Sequence, residues 1–334
     1  MKMNAALVTG PGPAESIRVT QIDRPEPGPT EALVRVRCAA VNPIDTYVRG
    51  GLVAMELPSP FVIGCDFAGE IEAIGEQVEG FSVGDRVWGS NQGLLGRQGV
   101  TSEYAAIDQQ WLYHTPEGVA DQDAAAGALV GITAHLGLVS RAQLAAGETM
   151  LVVGGAGGVG SAVVQIAKKL GARVIATCGG KEKAQASLDS GADAVIDHHT
   201  ESIDAGIARL APDGVDVWWE TRREPDLDQI VTAMAERGRL ILMAGRDARP
   251  ALPVGPFYVK GLSMLGFVMF KATPAEQRAA AEDLNRWLAS GDYRPRIGKT
   301  FSLTEAADAH ALQEAATIHG SSKLIGKIVI DIAD

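Results

Sequence analysis

Six consecutive residues, Gly155-Ala156-Gly157-Gly158-Val159-Gly160, follow the spacing G-x-G-x-x-G. They come directly after a short apolar run, Met150 to Val153, that predicts a strand, and directly before Ser161 to Leu170, which predicts a helix. Glycines at this spacing permit a tight turn and let backbone N–H groups at the start of a helix approach a pyrophosphate. In this context the segment predicts a dinucleotide-binding turn. The alternative is a glycine-rich turn that binds nothing.

The end of the next predicted strand, Arg173 to Thr177, indicates which dinucleotide would bind. Sites that prefer NAD place Asp or Glu about 20 residues after the glycines, where it accepts a hydrogen bond from the ribose 2′-OH. Here the chain continues with Cys178-Gly179-Gly180-Lys181-Glu182-Lys183, without an acidic residue before Glu182. Small residues followed by lysines would admit and pair with a 2′-phosphate, which a carboxylate would repel. The sequence therefore predicts NADPH as the cofactor. The alternative is that these lysines only form a solvated helix start.

Strand and helix patterns alternate along the middle of the chain. Further apolar runs predict strands at Ala194 to Ile196, Val215 to Trp219 and Leu240 to Ala244, and helices are predicted at Asp123 to Val139 and Lys181 to Ser190. Continuous apolar strands separated by helices are typical of a parallel sheet covered on both faces. We therefore predict an α/β fold with a doubly wound domain over residues 124–269.

The first 123 residues predict a different kind of domain. Ala32 to Ala40 and Phe67 to Ile74 alternate apolar and polar side chains, as strands with one solvated face do, and Val83 to Trp88 predicts a turn running into a strand. Frequent prolines and glycines between these runs are typical of a compact, barrel-like domain. Near the C-terminus a helix, Pro274 to Ala289, and a strand, Lys327 to Ile332, are predicted. We expect residues 270–334 to complete the domain formed by residues 1–123.

The bulk composition limits the kinds of partner. The chain has 334 residues and a formal net charge of −11, which opposes binding to nucleic acids and to anionic membranes. Its N-terminus lacks the long apolar run of a signal peptide. Cys38, Cys65 and Cys178 are too few and too far apart for a disulfide framework or a CxxC pair. We expect a cytoplasmic protein with neither a nucleic-acid nor a membrane partner.

Five motifs follow one another in order along the chain: Val41 to Gly50, Gly64 to Gly69, Val83 to Val87, Gly131 to Ala134, and the turn Ala156 to Gly160. Together they resemble the zinc-free quinone oxidoreductases of the medium-chain dehydrogenase/reductase superfamily, the group that includes ζ-crystallin. The resemblance spans essentially the whole chain. It implies a GroES-like β-barrel catalytic domain, a Rossmann domain, a cleft between them, and a homodimer or homotetramer built through the nucleotide-binding domains.

The resemblance also bears on metal binding. Zinc-containing relatives have a catalytic Cys where this chain has Asn42, a His where it has Cys65, and a four-cysteine lobe that has no counterpart here. Zinc needs three or four N, O or S ligands that converge on one point. We therefore expect no metal site. Cys65 next to Asp66 is the remaining metal candidate, and its alternative is a buried small hydrophobic residue.

Candidate site residues follow from the resemblance. Asn42 and Tyr47 match positions beside the nicotinamide end of the cofactor, and Thr133 matches the residue beneath the nicotinamide ring. Tyr47 would position the acceptor oxygen; alternatively its ring is packed and its hydroxyl satisfied within the first domain. Asp45 is expected to be structural, as a turn-former after Pro43.

Other candidates would contact the rest of the cofactor. Gly179, Gly180 and Lys183 match the adenosine 2′-phosphate loop, and His198 matches a residue near that phosphate; alternatively His198 and His199 form an exposed pair after a strand. The remaining candidates lie in loops after later strands and in the C-terminal strand motif: Gly245, Arg246, Phe267, Met269 and Lys327.

The expected activity is NADPH-dependent hydride transfer to a quinone or another conjugated carbonyl. Without zinc to polarise a carbonyl, the acceptor should need little Lewis-acid help, as quinones and α,β-unsaturated ketones do. Two alternatives stay open: an enone or 2-enoyl-thioester reductase on the same scaffold, and a non-enzymatic NADPH-binding structural or RNA-binding protein. The net charge argues against the RNA-binding version.

One segment departs from the family pattern. After the predicted strand Val215 to Trp219, relatives often continue with a small residue and a Val-Gly type of turn, whereas this chain continues with Glu220-Thr221-Arg222-Arg223-Glu224-Pro225. Trp218 and Trp219 are also unusual in a strand that ends near a cofactor. The contacts of this loop are therefore not predicted by the resemblance.

Overall fold

The computed structural model describes residues 1–320 and 323–332 of the chain. Two compact units are formed, the first by Met1–Ile132 with Thr273–Asp334 and the second by Thr133–Ala272. The predicted boundary between residues 123 and 124 falls inside a helix, Asp121–His135, which continues without interruption from the first unit into the second. The later boundary lies three residues beyond the predicted end of the doubly wound domain, at 272 instead of 269.

The strands within the described residues are β1 (Lys2–Val8), β2 (Arg18–Asp23), β3 (Glu31–Val41), β4 (Phe61–Val62), β5 (Asp66–Ile74), β6 (Arg86–Gly89), β7 (Tyr104–Asp108), β8 (Leu112–His114), β9 (Thr149–Val153), β10 (Arg173–Cys178), β11 (Ala194–Asp197), β12 (Val215–Glu220), β13 (Met234–Leu242), β14 (Ser263–Gly266), β15 (Ile297–Ser302) and β16 (Lys327–Asp331). The helices are α1 (Pro43–Arg49), α2 (Asp121–His135), α3 (Gly158–Lys169), α4 (Lys181–Asp189), α5 (Ile203–Leu210), α6 (Leu227–Ala233), α7 (Val254–Val259), α8 (Pro274–Ser290) and α9 (Ala306–Thr317).

The first unit is built on two sheets. The larger has the order β15-β16-β3-β5-β6-β8, with β7 also paired to β3, and the smaller has the order β2-β1-β4. The terminal strand β16 pairs antiparallel with β3, so that Ile328 faces Val41 in register. The C-terminal strand is therefore part of the larger sheet of the first unit.

The second unit contains a six-stranded parallel sheet with the order β11-β10-β9-β12-β13-β14. Numbered within the unit, this order is 3-2-1-4-5-6, the doubly wound arrangement of a Rossmann domain. The order reverses between β9 and β12. Ligands of such sheets bind in the crevice at the carboxyl ends of the strands on either side of this point, so the residues that follow β9 and β12 are the first candidates for a site.

The two adjacent tryptophans of β12 are both fully buried. Successive side chains of a strand point to opposite faces of the sheet, and both faces of this sheet are covered. Trp218 lies in an apolar cluster that includes Leu151 and Ile230. The ring of Trp219 lies so close to Gly137 that a Cβ there would come within 2.3 Å of it. The bulky pair therefore fills the core on both sides of the sheet.

Two elements differ from their predicted bounds in an informative way. Helix α3 begins at Gly158, inside the glycine motif, instead of at Ser161. Strand β13 begins at Met234 and ends at Leu242, whereas the apolar run predicted Leu240 to Ala244. The early part of β13 is polar and partly exposed, and Arg237 has a positive φ of 61°, so it gives no apolar strand pattern.

Helix α2 and its π-helical continuation, Leu136–Arg141, together form an apolar segment. Within the described residues, the stretch Asp121–Arg141 is the one helix long and apolar enough to cross a membrane by length and composition. Its most apolar window is 78% buried inside the protein. Packing in the protein interior therefore accounts for its apolar character.

Candidate functional site

The turn between β9 and α3 is held to the neighbouring strand β10. Gly154 has a φ of 78°, and its N–H donates to Oγ1 of Thr177 at 3.3 Å. The next N–H, of Gly155, donates to the carbonyl of Thr177 at 3.1 Å. The turn is therefore fixed by the last residues of β10, where the 2′-phosphate loop begins.

Three glycines of the motif differ in what a side chain at their position would meet. A Cβ on Gly160 would lie 2.0 Å from the carbonyl oxygen of Gly154, and one on Gly155 would lie 2.6 Å from Cβ of Ala176. A Cβ on Gly157 would meet nothing closer than 3.5 Å. Gly155 and Gly160 are thus required by packing within the protein, whereas Gly157 faces open space where a ligand can approach.

The open side of the turn fits a pyrophosphate. Gly157 is exposed, Gly158 and Val159 are half-buried, and α3 begins at Gly158, so the N–H groups of its first turn lack acceptors within the helix. The positive end of the helix dipole adds to the attraction for an anion. Ala156 is buried and packs inside the protein. The turn therefore has an open face at Gly157 to Val159.

A second set of predicted residues meets at the ends of β10 and β11. Gly180 has a φ of 93° and precedes α4. Its N–H donates to Oδ1 of Asp197 at 2.9 Å, and the N–H of His199 donates to the same oxygen at 3.1 Å. These two hydrogen bonds lower the pKa of Asp197, which is therefore ionised at neutral pH. Asp197, which the sequence analysis did not single out, connects the two loops.

Basic groups gather around this connection. The rings of His198 and His199 meet edge to face with centroids 5.0 Å apart, and a Cβ on Gly179 would lie 2.9 Å from Nε2 of each. Desolvation and the charges of His199 and Lys183 lower the pKa of His198, while Asp197 raises it. The structure thus places Gly179, Lys183 and His198 near one another, with His199 beside them.

The loop after β12, which the family pattern did not predict, is anchored to the phosphate turn. Oγ1 of Thr221 donates to the carbonyl of Val153 at 2.9 Å. Glu220 is 1% exposed, and its carboxylate accepts from the backbone N–H of Arg222 at 2.7 Å and from Nη2 of the same residue at 2.7 Å. Arg222 also donates to Gln229 at 3.0 Å. Glu220 and Arg222 are therefore paired with each other at the strand-order reversal.

The loops after β13 and β14 lie beside that region. Gly245 has a φ of 77°, and a Cβ on it would lie 2.7 Å from the carbonyl oxygen of Arg223, so the loops after β12 and β13 touch. Arg246 is exposed. Phe267 meets Trp219 edge to face at 6.3 Å, and Met269 is buried. Phe267 and Met269 therefore contribute to packing within the second unit.

The residues predicted for the nicotinamide end divide between the units. Tyr47 lies in α1 of the first unit and is half-buried, and Thr133 is a buried residue at the start of the second unit. Asn42 precedes α1 and is fully buried. Its Nδ2 donates to Asp66 at 2.8 Å, and its Oδ1 accepts from Lys327. Both ends of the Asn42 amide are therefore used within the first unit.

Lys327, predicted as a cofactor-binding residue, lies inside the first unit. Its side chain is 5% exposed, and its ammonium donates to the carbonyl of Val41 at 2.7 Å and to Asn42. The ammonium is therefore enclosed by oxygens of Val41, Asn42 and Asp66. The family motif placed Lys327 near the site, but the motif could not show which way its side chain points.

Acidic and thiol groups surround the same buried cluster. Burial raises the pKa of Asp45 to about 7, and it also raises the pKa of Asp66 and of Cys65. Cys65, Cys38 and Cys178 are buried and free. Within residues 1–320 and 323–332, no group of three or more His, Cys, Asp or Glu side chains is placed to hold a metal ion.

A GroES-like unit joined to a Rossmann unit with a phosphate turn defines a class of nicotinamide-dependent dehydrogenases and reductases. Residues 28–117 match the family model for the alcohol dehydrogenase GroES-like domain, and residues 158–287 match the model described as zinc-binding dehydrogenase. A quinone oxidoreductase of Pseudomonas aeruginosa is 35% identical over 311 residues, which cover 90% of this chain and 92% of the relative. The chain belongs to the medium-chain dehydrogenase/reductase superfamily.

Two solved structures show how similar relatives differ in cofactor. An NAD-dependent alcohol dehydrogenase superposes with a TM-score of 0.89 at 29% identity, covering 99% of this chain and 100% of that one. The mycobacterial protein Rv1454c, solved in complex with NADPH, superposes with a TM-score of 0.85 at 31% identity, covering 98% of this chain and 99% of that one. The chain is thus an oxidoreductase of a family that uses either nicotinamide cofactor.

Proposed function

We propose that this chain is an NADPH-dependent reductase that transfers hydride, without zinc, to a quinone or another conjugated carbonyl acceptor. The observation that supports it most directly is the combination of an open phosphate turn with the basic loop at the ends of β10 and β11. The quinone oxidoreductase relative and the NADPH-bound structural neighbour support the same activity.

The cofactor contacts are assigned to the second unit. The turn from Gly155 to Gly160 receives the pyrophosphate, and the loop of Gly179, Gly180, Lys183 and His198 receives the 2′-phosphate. The ionised Asp197 beside this loop opposes a 2′-phosphate, so the assignment depends on Lys183 and His198 to pair with it. When bound, NADPH supplies hydride from C4 of its nicotinamide ring.

The acceptor end is assigned to positioning residues. The Tyr47 hydroxyl hydrogen-bonds the acceptor oxygen, Asn42 holds the start of α1, and Thr133 supports the nicotinamide ring. Gly245, Arg246, Phe267 and Met269 shape the nicotinamide side of the second unit. A quinone or an enone suits such a site because the charge that develops on its oxygen is delocalised, so water is sufficient to deliver the proton.

Zinc independence is proposed on the chemistry of the side chains present. Asn42 and Cys65 stand where zinc-containing relatives have Cys and His. The ammonium of Lys327, 3.9 Å from Asp66, would repel a divalent cation in this cluster. Treatment with a strong chelator should therefore leave the activity unchanged, and loss of activity that zinc restores would refute this part of the proposal.

The activity is tested by following NADPH oxidation with 9,10-phenanthrenequinone, an enone and a 2-enoyl-CoA in parallel. Fast turnover of the quinone supports the proposal. A preference for the 2-enoyl-CoA would instead identify the chain as a 2-enoyl-thioester reductase. Tight NADPH binding without turnover of any acceptor would favour a non-enzymatic role.

Cofactor preference is tested by Lys183→Ala, with Lys181→Ala as the matched control in the same helix. Lys183 is half-buried beside His198, whereas Lys181 is exposed. We expect Lys183→Ala to reduce the preference for NADPH over NADH by about tenfold and Lys181→Ala to have little effect. An unchanged preference in Lys183→Ala would reject the assigned 2′-phosphate loop.

We also propose a cytoplasmic homodimer formed through the second unit, acting on a small molecule without nucleic-acid or membrane partners. Strand β14 is at the edge of the six-stranded sheet, and nearby apolar side chains are exposed: Val254 at 61%, Tyr258 at 70% and Val259 at 73%. Exposed apolar groups beside an edge strand favour a symmetric interface. Val259→Asp should convert the dimer to a monomer in sedimentation equilibrium; a tetramer would correct the assigned size.

A further inference from the structure

A buried cluster in the first unit surrounds a single cation. Lys327, the first residue of β16, is 4% exposed, and its Nζ donates to the carbonyl of Val41 at 2.7 Å and to Oδ1 of Asn42. The same Nζ lies 3.9 Å from Oδ2 of Asp66. Asn42 and Asp66 are both 0% exposed. An ammonium, an amide and a carboxylate therefore interact out of contact with solvent.

The carboxylate of Asp66 has further donors. It accepts from Oγ of Ser90 at 2.6 Å, from Nδ2 of Asn42 at 2.8 Å and from the backbone N–H of Leu129 at 3.2 Å. Burial raises the pKa of Asp66, whereas Lys327 and these hydrogen bonds lower it. On balance the pKa of Asp66 stays raised, and in the structure both of its carboxyl oxygens act as hydrogen-bond acceptors.

Lys327 and Asp66 fix the orientation of the amide between them. An ammonium has only donors, and Asp66 accepts a hydrogen bond from Asn42, from Ser90 and from the backbone of Leu129. The amide of Asn42 can therefore satisfy both neighbours in a single orientation, with Oδ1 toward Lys327 and Nδ2 toward Asp66. Any rotation would leave a buried polar group unpaired, which is costly.

Asn42 is also the residue from which α1 begins. Its backbone N–H donates to Oδ2 of Asp45 at 2.7 Å, and Pro43 is the first residue of the helix. Tyr47 lies one turn further along α1. The position of Asn42 therefore determines where α1, and with it Tyr47, leaves strand β3.

We propose that Lys327 is a positioning residue whose buried ammonium fixes the amide of Asn42 and, through it, the start of the helix that includes Tyr47. The consequence for turnover rests on the proposed function, in which Tyr47 contacts the acceptor. The consequence for Asn42 does not. Lys327 thus acts on the acceptor end of the site from the opposite end of the chain.

The direct test observes Asn42. The chain has four asparagines, Asn4, Asn42, Asn91 and Asn285, so selective ¹⁵N-asparagine labelling gives few side-chain amide signals, and Asn42→Asp assigns the relevant pair. In Lys327→Met the Asn42 signals should shift and their exchange with solvent should accelerate. Lys299→Met, at an exposed lysine on the neighbouring strand β15, should leave them unchanged. Unchanged Asn42 signals in Lys327→Met would overturn the proposal.

Kinetics separate positioning from direct cofactor contact. Lys327→Met should lower kcat with 9,10-phenanthrenequinone by about tenfold or more, while the Kd for NADPH stays unchanged. A weaker NADPH affinity with an unchanged kcat would overturn the proposal in favour of direct cofactor contact. If the wild-type chain turns over no quinone, the proposed function fails, and the amide signals still test the role of Lys327.

A second variant covers the case in which Lys327→Met does not fold. Removal of the ammonium leaves Asp66 as an uncompensated buried charge, which is strongly destabilising. Lys327→Met with Asp66→Asn removes both charges and should fold. Its Asn42 amide, no longer held between a donor-only and an acceptor-only group, should lose the wild-type signals; their retention would overturn the proposal.

Discussion

The guanidinium of Arg222 folds back onto the carboxylate of Glu220, two residues earlier in the chain. Nε of Arg222 lies 3.0 Å from both carboxylate oxygens, and Nη2 lies 2.7 Å from Oε2. The indole N–H of Trp218 donates to the same carboxylate at 3.2 Å. The acidic residue that departs from the family pattern is thus neutralised locally, at the end of the strand where the sheet order reverses.

Removing the arginine from this pair should destabilise the second unit. The side chain of Glu220 is 1% exposed, so Arg222→Met leaves a buried carboxylate without a counter-charge, which costs about 3–5 kcal/mol. Urea unfolding measures the loss. Adding Glu220→Gln should recover most of it. The control is Arg209→Met, whose partner Glu201 belongs to an exposed pair and whose loss should cost less than about 1 kcal/mol. Equal effects of the two arginine variants would contradict this account.

The phosphate turn offers a contrast between two glycines. Gly160→Ala places a Cβ 2.0 Å from the carbonyl oxygen of Gly154, so the turn must open and the free energy of unfolding should fall by several kcal/mol, about 2–4. Gly157→Ala meets nothing closer than 3.5 Å, so the fold should be retained. Because Gly157 faces the ligand side, its variant should instead weaken NADPH binding.

The measurement combines thermal unfolding with titration of NADPH fluorescence. A stable Gly157→Ala variant with lowered affinity, beside an unstable Gly160→Ala variant, is the expected pattern. Unaltered affinity in Gly157→Ala would show that the pyrophosphate does not approach this side of the turn.

Local patterns were sufficient to predict much of the fold. The glycine motif, the apolar run before it and the helix after it are adjacent in sequence, and strands β9, β10, β11 and β12 each appear as a short apolar run. Alternation of strands with helices restricts the topology to a parallel sheet, because such connections are right-handed crossovers. The strand order confirms this prediction.

The candidate site depends on contacts that no local pattern shows. Asn42 and Lys327 are 285 residues apart in sequence, and only the antiparallel pairing of β16 with β3 brings them together. The bond from Gly180 to Asp197 likewise needs β10 and β11 to be neighbours. Lys327 was therefore predicted without its buried contacts, and Asp197 was not predicted.

The buried carboxyl of Asp45 should make stability depend on pH. Burial raises its pKa from 3.8 to about 7, so between these values the folded state holds a proton that the unfolded state has released. The contribution to stability is thus present at low pH and is lost as the pH rises through 7. The side chain introduced by Asp45→Asn does not titrate. The free energy of unfolding of this variant should therefore rise relative to that of the wild type by about 2 kcal/mol from pH 5 to pH 8.

The matched control for this carboxyl is Glu305→Gln. Glu305 also accepts from the N-cap backbone of its helical turn, at Ser302, but it is exposed and its pKa is lowered. It is therefore ionised across the whole interval and its variant should show no relative gain. Chemical unfolding at pH 5 and pH 8 provides both values, and parallel behaviour of Asp45→Asn and wild type would refute the pKa shift.

His310 should produce the opposite dependence in acid. It is fully buried in α9, and within the described residues neither ring nitrogen has a hydrogen-bond partner. Burial and the nearby charge of Arg49 lower its pKa from 6.5 to about 3, so the unfolded state binds a proton in this interval that the folded state does not. Stability is therefore lost as the pH falls below 6.5, by about 2 kcal/mol at pH 5.

His310→Met should reduce this loss, because Met fills the site without titrating. The comparison is His319→Met, an exposed histidine just after the same helix, which should retain the acid sensitivity of the wild type. Urea unfolding at pH 7, 6 and 5 gives the slope for each variant. If His310→Met loses stability in acid as steeply as the wild type, the folded chain also takes up a proton at His310, and the lowered pKa is refuted.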